Sequence, residues 1–320
     1  MTYAVFTYIK CGVRFLELCS CKLQIEIVKL GRKLSSKSPE LSTQQLVQRK
    51  SGKSIFGPIR VMRITNRDSH VWAETEQLIP RVVYSTVGTK KIRRKHLQAI
   101  ESFRSNNPEY KFVVIDDREA HDYLASKFQG ERILDIFERS IYGPMRADIL
   151  RVALMLFEGG VYIDISKRLK KPLMQTIPPS ASFVFAHENN EIPSHYGIKT
   201  DPNLLVNHRK LIVQWCMMSC PNNPIFETMI ESIERDSMEY ENRSFENPKL
   251  AILELTATYQ FTKAVWKHLA NERNDWHYAG IDFQEKDYVL IKGSFSRNPL
   301  RPHYAAISNK AILKDAEEDQ

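Results

Sequence analysis

Tyr142-Gly-Pro-Met-Arg-Ala-Asp-Ile-Leu-Arg-Val-Ala-Leu-Met-Leu-Phe-Glu-Gly-Gly-Val-Tyr-Ile-Asp-Ile-Ser166 is the run from which the fold can be read. Pro144 suits the first turn of a helix, where its missing N–H costs nothing. Ile149, Leu150, Ala153, Leu154 and Phe157 supply an apolar face, and Gly159-Gly160 can end the helix. A strand, Val161 to Ile165, follows directly. Asp148 and Arg151 are three residues apart and share a helical face, so either they pair structurally or they bind a ligand. Asp164 and Ser166 are two apart at the strand end, on one side of the sheet if the strand stays regular. Oxygen ligands there suit a phosphate-bound hard cation. Lys167, Lys170 and Lys171 come next, either to offset anionic charge or as an exposed polar turn.

Upstream, Ile79-Pro-Arg-Val-Val-Tyr84 is rich in β-branched and aromatic residues and reads as the first core strand, bounded by Ser-Thr-Val-Gly as a turn. Ile92, Leu97, Ile100 and Phe103 form a helical stripe that stops at Asn106-Asn107-Pro108, and Tyr110 to Ile115 reads as another strand. Strand, helix, strand predicts a parallel α/β sheet with ligands beyond its carboxyl ends. Asp116-Asp117 sits at one such end, as a solvated turn or a helix start before a nucleotide contact. Downstream, Phe183 to Ala186 and Leu204 to Val206 read as strands, and Arg209 to Met218 and Pro224 to Ile233 as helices. Acceptor recognition is expected from these parts and the Glu188 to Thr200 loop. Asn207 and His208 either line the cleft or cap a helix. Trp215, Trp266 and Trp276 are assigned to packing before sugar stacking, and Cys216 and Cys220 would share a helical face.

Tyr3 to Leu30 is rich in apolar residues but broken by Lys10, Arg14, Glu17, Lys22 and Glu26, which argues against a membrane span and fits an amphipathic helix lying on a membrane, on its own domain or on a partner chain. Ser35 to Gly57 reads as a linker, so the expected division is an extension, 1–57, and a catalytic domain, 58–320. Five cysteines, an odd number without paired spacing, favour a reducing compartment, and a cytoplasmic or membrane-peripheral location is expected. The net charge of +8 favours anionic partners. The absence of zinc-finger, RRM or zipper signatures argues against nucleic acid. No dinucleotide GxGxxG, Walker, HExxH or GxSxG motif occurs.

Arg146-Ala-Asp-Ile-Leu-Arg151, Gly159-Gly-Val-Tyr-Ile-Asp164 and Lys171-Pro-Leu173, preceded by Ile79 to Tyr84 and Asn107-Pro-Glu-Tyr110, resemble in order the DXD-containing sugar-binding region of glycosyltransferases related to yeast initiation-specific mannosyltransferase, capsular polysaccharide transferases and the clostridial glucosylating toxins. The likeness is weaker through Leu255 to Thr262 and His303-Tyr304, and the start of the chain has no counterpart.

The resemblance implies a GT-A type, Rossmann-like nucleotide-sugar-binding fold of the α/β class, with added helices and an N-terminal helical extension. It implies a retaining transfer of a hexosyl group from a UDP- or GDP-sugar to a glycan or glycolipid acceptor. The expected donor-binding residues are Asp148, Arg151 and Asp164, with Tyr84 on the opening strand and Lys167 after Asp-Ile-Ser. The expected ligands of Mn2+ or Mg2+ are Asp164, Ser166 and His303. Ser166 departs from the pattern, since the second metal-side aspartate of the family is a serine here. A catalytically weakened sugar-nucleotide-binding or scaffold protein is the alternative reading of that change. No general base is marked; in a retaining transfer the departing phosphate can take the acceptor's proton.

Overall fold

The computed structural model describes residues 61–69, 77–191, 210–269, 275–290 and 307–315, all within the unit Arg60–Gln320. Tyr3 to Leu30, the linker to Gly57, Leu204 to His208 and His303 lie outside these residues.

Strand β1, Val61–Arg63, pairs antiparallel with β3, Lys91–Arg93, in a two-stranded ribbon. Between them β2, Val82–Val87, opens the main sheet. It runs through the Ser-Thr-Val expected as a turn, because Val83, Ser85 and Val87 alternate inward and the Ser85 hydroxyl donates to the carbonyl of Ile163 at 2.7 Å. Helix α1, Arg94–Ser105, carries the Leu97, Ile100 and Phe103 stripe into β4, Lys111–Asp116, which lies parallel to β2. Asp116 caps α2, Asp117–Lys127: it accepts from the Glu119 N–H at 3.1 Å while Glu119 accepts from the Asp116 N–H at 3.0 Å. The paired aspartates are thus a helix start.

Helix α3, Arg132–Arg139, leads to α4, Gly143–Phe157. This helix is buried on nearly every side, Met145 and the whole run Asp148–Met155 included, where one apolar face was expected. It ends as the sequence indicates. Gly159 and Gly160 have φ of +63° and +88°, and the Gly159 N–H returns to the Leu154 carbonyl at 3.1 Å. Strand β5, Gly160–Ile163, then runs parallel to β2 with all four residues buried.

Beyond it come β6, Lys167–Leu169; α5, Leu173–Thr176; β7, Phe183–Glu191; β8, Lys210–Ile212; and β9, Cys216–Ser219. Helices α6, Pro224–Ser237, α7, Pro248–Leu255, and α8, Thr258–Leu269, precede β10, Trp276–Ile281, and β11, Tyr288–Leu290.

The main sheet has seven strands in the order β10-β7-β9-β5-β2-β4, with β8 on β7. It is mixed where a parallel sheet was expected: β9 is antiparallel to both β5 and β7. The expected helix from Arg209 to Met218 is instead β8 and β9. Leu211–Val213 and Trp215–Met218 are all buried, and a continuous apolar run has no period by which a helix can be told from a strand covered on both faces. Cys216 accordingly lies in a strand, with Cys220 just past its end.

Alternation splits the sheet between two cores. Tyr162, Phe183, Phe185 and Met217 face α2, α3, α4, α6, α7 and α8, whereas Val83, Val161, Ile163 and Val184 face α1, α5 and the β6–β11 ribbon. The result is an α/β fold with both sheet faces covered. Strands β2, β4 and β5 point their carboxyl ends the same way, toward Val87, Asp116 and Asp164.

Candidate active site

Asp164 leaves β5 and starts a tight turn, in which the Lys167 N–H donates to the Asp164 carbonyl at 2.8 Å. The strand therefore does not stay regular through Ser166, so the alternation that would have set Asp164 and Ser166 on one side does not apply. The Asp164 N–H is held by the Trp215 carbonyl at 2.9 Å. Its side chain is 30% exposed, and Oδ1 accepts from the Tyr162 hydroxyl at 3.0 Å and lies 3.4 Å from the Arg151 guanidinium. Tyr162 donates its one proton there, so the Thr86 hydroxyl, 3.0 Å away, donates to Tyr162. Both contacts fall on Oδ1, which leaves Oδ2 as the oxygen for a ligand.

Arg151 binds Asp148 at 3.1 Å as well, donates to the carbonyls of Gln214 at 3.2 Å and Ala147 at 3.3 Å, and lies over the Tyr162 ring. The second Asp148 oxygen accepts from Thr256 at 3.1 Å, and Gln214 donates to the Thr256 carbonyl. Asp148 and Arg151 are both buried, so their contacts hold Asp164 from behind. Burial lifts the Asp148 carboxyl to about 7, against the pull of Arg151 and Thr256.

Lys167 begins β6. Its ammonium sits 3.9 Å from the centre of the Trp215 ring and 5.3 Å from that of Tyr288. Burial lowers its affinity for the proton, while Asp164, Glu188 and Asp282 raise it. Glu188, within β7, is pushed up by burial and by Asp282 and Asp164, with Asn190 and Lys167 opposing. Asp282 follows β10 at the head of a turn in which Asp282, Phe283 and Gln284 all have positive φ, 46°, 55° and 69°. Trp215, packed against Phe283 and Tyr288, is buried as expected, yet its ring also carries the Lys167 ammonium.

The structure thus brings Asp148, Arg151 and Asp164 into one array with Ser166 and Lys167 beside it. Tyr84 is elsewhere: it packs over Gly160, at the other end of β5, toward Glu158, and burial there raises its hydroxyl to about 12. His303 lies outside the described residues. Tyr162 falls within the stretch first quoted, but nothing in its spacing marks it. Glu188, Gln214, Thr256 and Asp282 come from distant segments with no motif of their own.

At Asp-Ile-Ser the chain offers the expected Mn2+ or Mg2+ one carboxylate, that of Asp164. At phosphate sites Mg2+ keeps several waters and is held by one or two carboxylates together with the substrate's phosphates. Among the described residues no three His, Cys, Asp or Glu side chains converge to hold an ion. Asp164 already shares one oxygen with Arg151 and Tyr162, Ser166 offers a neutral hydroxyl, and the next side chain is itself a cation.

Residues 93–184 match the glycosyltransferase sugar-binding region containing the DXD motif. That span includes Asp148, Arg151, Asp164, Ser166 and Lys167 but not Glu188, Trp215 or Thr256. An initiation-specific alpha-1,6-mannosyltransferase of Schizosaccharomyces pombe is 23% identical over 230 residues, 66% of this chain and 54% of the relative. A mannosyl phosphorylinositol ceramide synthase of Saccharomyces cerevisiae is 22% identical over 229 residues, 71% of this chain and 53% of the relative. The chain thus spans about half the length of these curated relatives. Among solved structures, the PaToxG glycosyltransferase aligns over 61% of this chain and 72% of its own, with 18% identity and a TM-score of 0.44.

Proposed function

We propose that this chain, whose residues 93–184 carry the DXD sugar-binding region of glycosyltransferases, transfers a hexosyl group from a nucleoside-diphosphate sugar to a glycan or glycolipid acceptor. The observation that carries the proposal is the Asp148–Arg151–Asp164 array at the carboxyl end of β5, inside the matched region. Ligands of open α/β sheets lie at such ends. The mannosyl transfer named for the curated relatives supports a hexosyl donor, and the ceramide in one of those names supports a lipid-linked acceptor.

In this reading the domain is of GT-A type. Asp164 contacts the donor through Oδ2, and Asp148, Arg151 and Tyr162 act as positioning residues that fix it. During transfer the bond from the anomeric carbon to the diphosphate oxygen breaks and negative charge grows on the diphosphate. A positive group aimed at that charge lowers the barrier. For a transfer with retention, the departing phosphate oxygen takes the acceptor's proton while the acceptor oxygen bonds to the same face of the anomeric carbon.

The test is release of nucleoside diphosphate from a panel of UDP- and GDP-sugars by the full chain, with and without candidate acceptors. Asp164→Ala is expected to abolish release. A second reading, binding without transfer, is favoured by Ser166 alone; donor binding with no release in the presence of acceptors would select it. Neither binding nor release for any donor would sink the assignment of the site.

A further inference from the structure

The Lys167 ammonium sits against a packed pair of aromatic rings, 3.9 Å from the centre of Trp215 and 5.3 Å from that of Tyr288, whose own centres are 4.7 Å apart. Its backbone is fixed on both sides, by the turn bond to Asp164 and by the antiparallel pairing of β6 with β11, where Lys167 faces Leu290. Aromatic faces hold a cation in place without neutralising it. Among the described residues no carboxylate comes within 4.0 Å of this ammonium, although Asp164, Glu188 and Asp282 are the acidic groups that act on it.

Asp282 reaches this neighbourhood through three consecutive non-glycine residues in the left-handed region. Such residues cost about 1–3 kcal/mol each and persist where the surroundings over-determine them. The sequence has therefore lost one carboxylate, at Ser166, and the fold sets a tethered cation next to the one that remains.

We propose, on the reading of this site as a donor site, that the Lys167 ammonium takes the place of the divalent cation and is the positive charge at which the donor's diphosphate binds and departs. Diphosphate leaves as the anion, Lys167 keeps its proton throughout, and the acceptor's proton goes to the phosphate oxygen. The site is then a metal-independent variant in which Asp164 orients the donor and Lys167 supplies the charge. Ser166→Asp would restore the second acidic side chain of the family pattern.

The experiment is calorimetric titration of the full chain with UDP and with GDP, in EDTA and in Mn2+, alongside Lys167→Met, Lys167→Arg and Ser166→Asp, with melting temperatures for each. Wild type is expected to bind one of the two equally well in EDTA and in Mn2+. Lys167→Met should weaken that binding about tenfold or more, the worth of one charge-assisted hydrogen bond. Lys167→Arg should keep most of it, and Ser166→Asp should make binding respond to Mn2+. Should Lys167→Met unfold, the Arg variant and the EDTA comparison still decide. Loss of wild-type binding in EDTA overturns the inference and leaves the transferase reading standing. A folded Lys167→Met that binds like wild type also overturns it. No binding of UDP or GDP under any condition overturns both.

Discussion

Arg151 is the residue on which the array turns. Its guanidinium reaches Asp148, Asp164 and the Gln214 carbonyl at once, and only a planar fork can do so. Removing one partner of a buried pair costs about 3–5 kcal/mol, because the other charge is left uncompensated. Arg151→Ala is expected to lose that much in urea unfolding near neutral pH, and Arg151→Lys, which keeps the charge without the fork, to lose less. The sign with pH follows from Asp148, whose carboxyl burial already holds at about 7 and which rises further without Arg151. The native state then binds more protons than the unfolded chain, so stability falls as pH rises from the ordinary carboxylate value through the folded one. The deficit of Arg151→Ala should be largest above pH 7 and shrink toward pH 5. A loss no greater than about 0.5 kcal/mol, the size of an ordinary surface change, would show that the pair is not buried in solution. The Asp148–Arg151 pair was legible because helix spacing is local, whereas the strand spacing read for Asp164 and Ser166 does not hold and the donor role of Asp164 was implied by the family resemblance. Thr256 and Gln214 were not, since they meet Asp148 and Arg151 from 108 and 63 residues away.

Among the elements, the turn from α4 into β5 sets where Asp164 emerges. A side chain on Gly160, at φ +88°, would meet the Val82 carbonyl at 2.7 Å, and one on Gly159 would meet the Pro221 nitrogen at 2.6 Å. Gly130, at φ +81°, has nothing within 4 Å of such a position and isolates the backbone effect. Gly130→Ala should cost about 1–3 kcal/mol for the left-handed conformation alone. Gly160→Ala should cost distinctly more, because β5 must also separate from β2, and it should weaken donor binding as Asp164 moves. Equal thermal shifts for the two variants, with donor affinity untouched, would refute the claim that this contact positions Asp164. The glycine pair was readable as a helix stop. The strands at Lys210–Ile212 and Cys216–Ser219 were not, because residues buried on both faces lose the alternation that identifies a strand.

At the scale of the molecule, every described site residue belongs to the unit Arg60–Gln320. No helix among the described residues is long and apolar enough to cross a membrane. Deleting residues 1–57 is therefore expected to leave donor turnover intact. Peripheral membrane contact through Tyr3 to Leu30 is a proposal: the full chain, but not the truncated one, should sediment with anionic vesicles at low salt. Loss of turnover on truncation would place part of the site in the extension. The sequence by itself determined the α/β class, the α4–glycine–β5 unit and the pairing of Asp148 with Arg151, because these rest on patterns that repeat within one helical turn or one strand. Only the tertiary structure decided the mixed order of the sheet, the departure of Tyr84 from the site, and the convergence of Trp215, Tyr288, Glu188 and Asp282 on Lys167. These depend on which distant strands pair, and pairing is set by burial over the whole fold, where no local spacing records it.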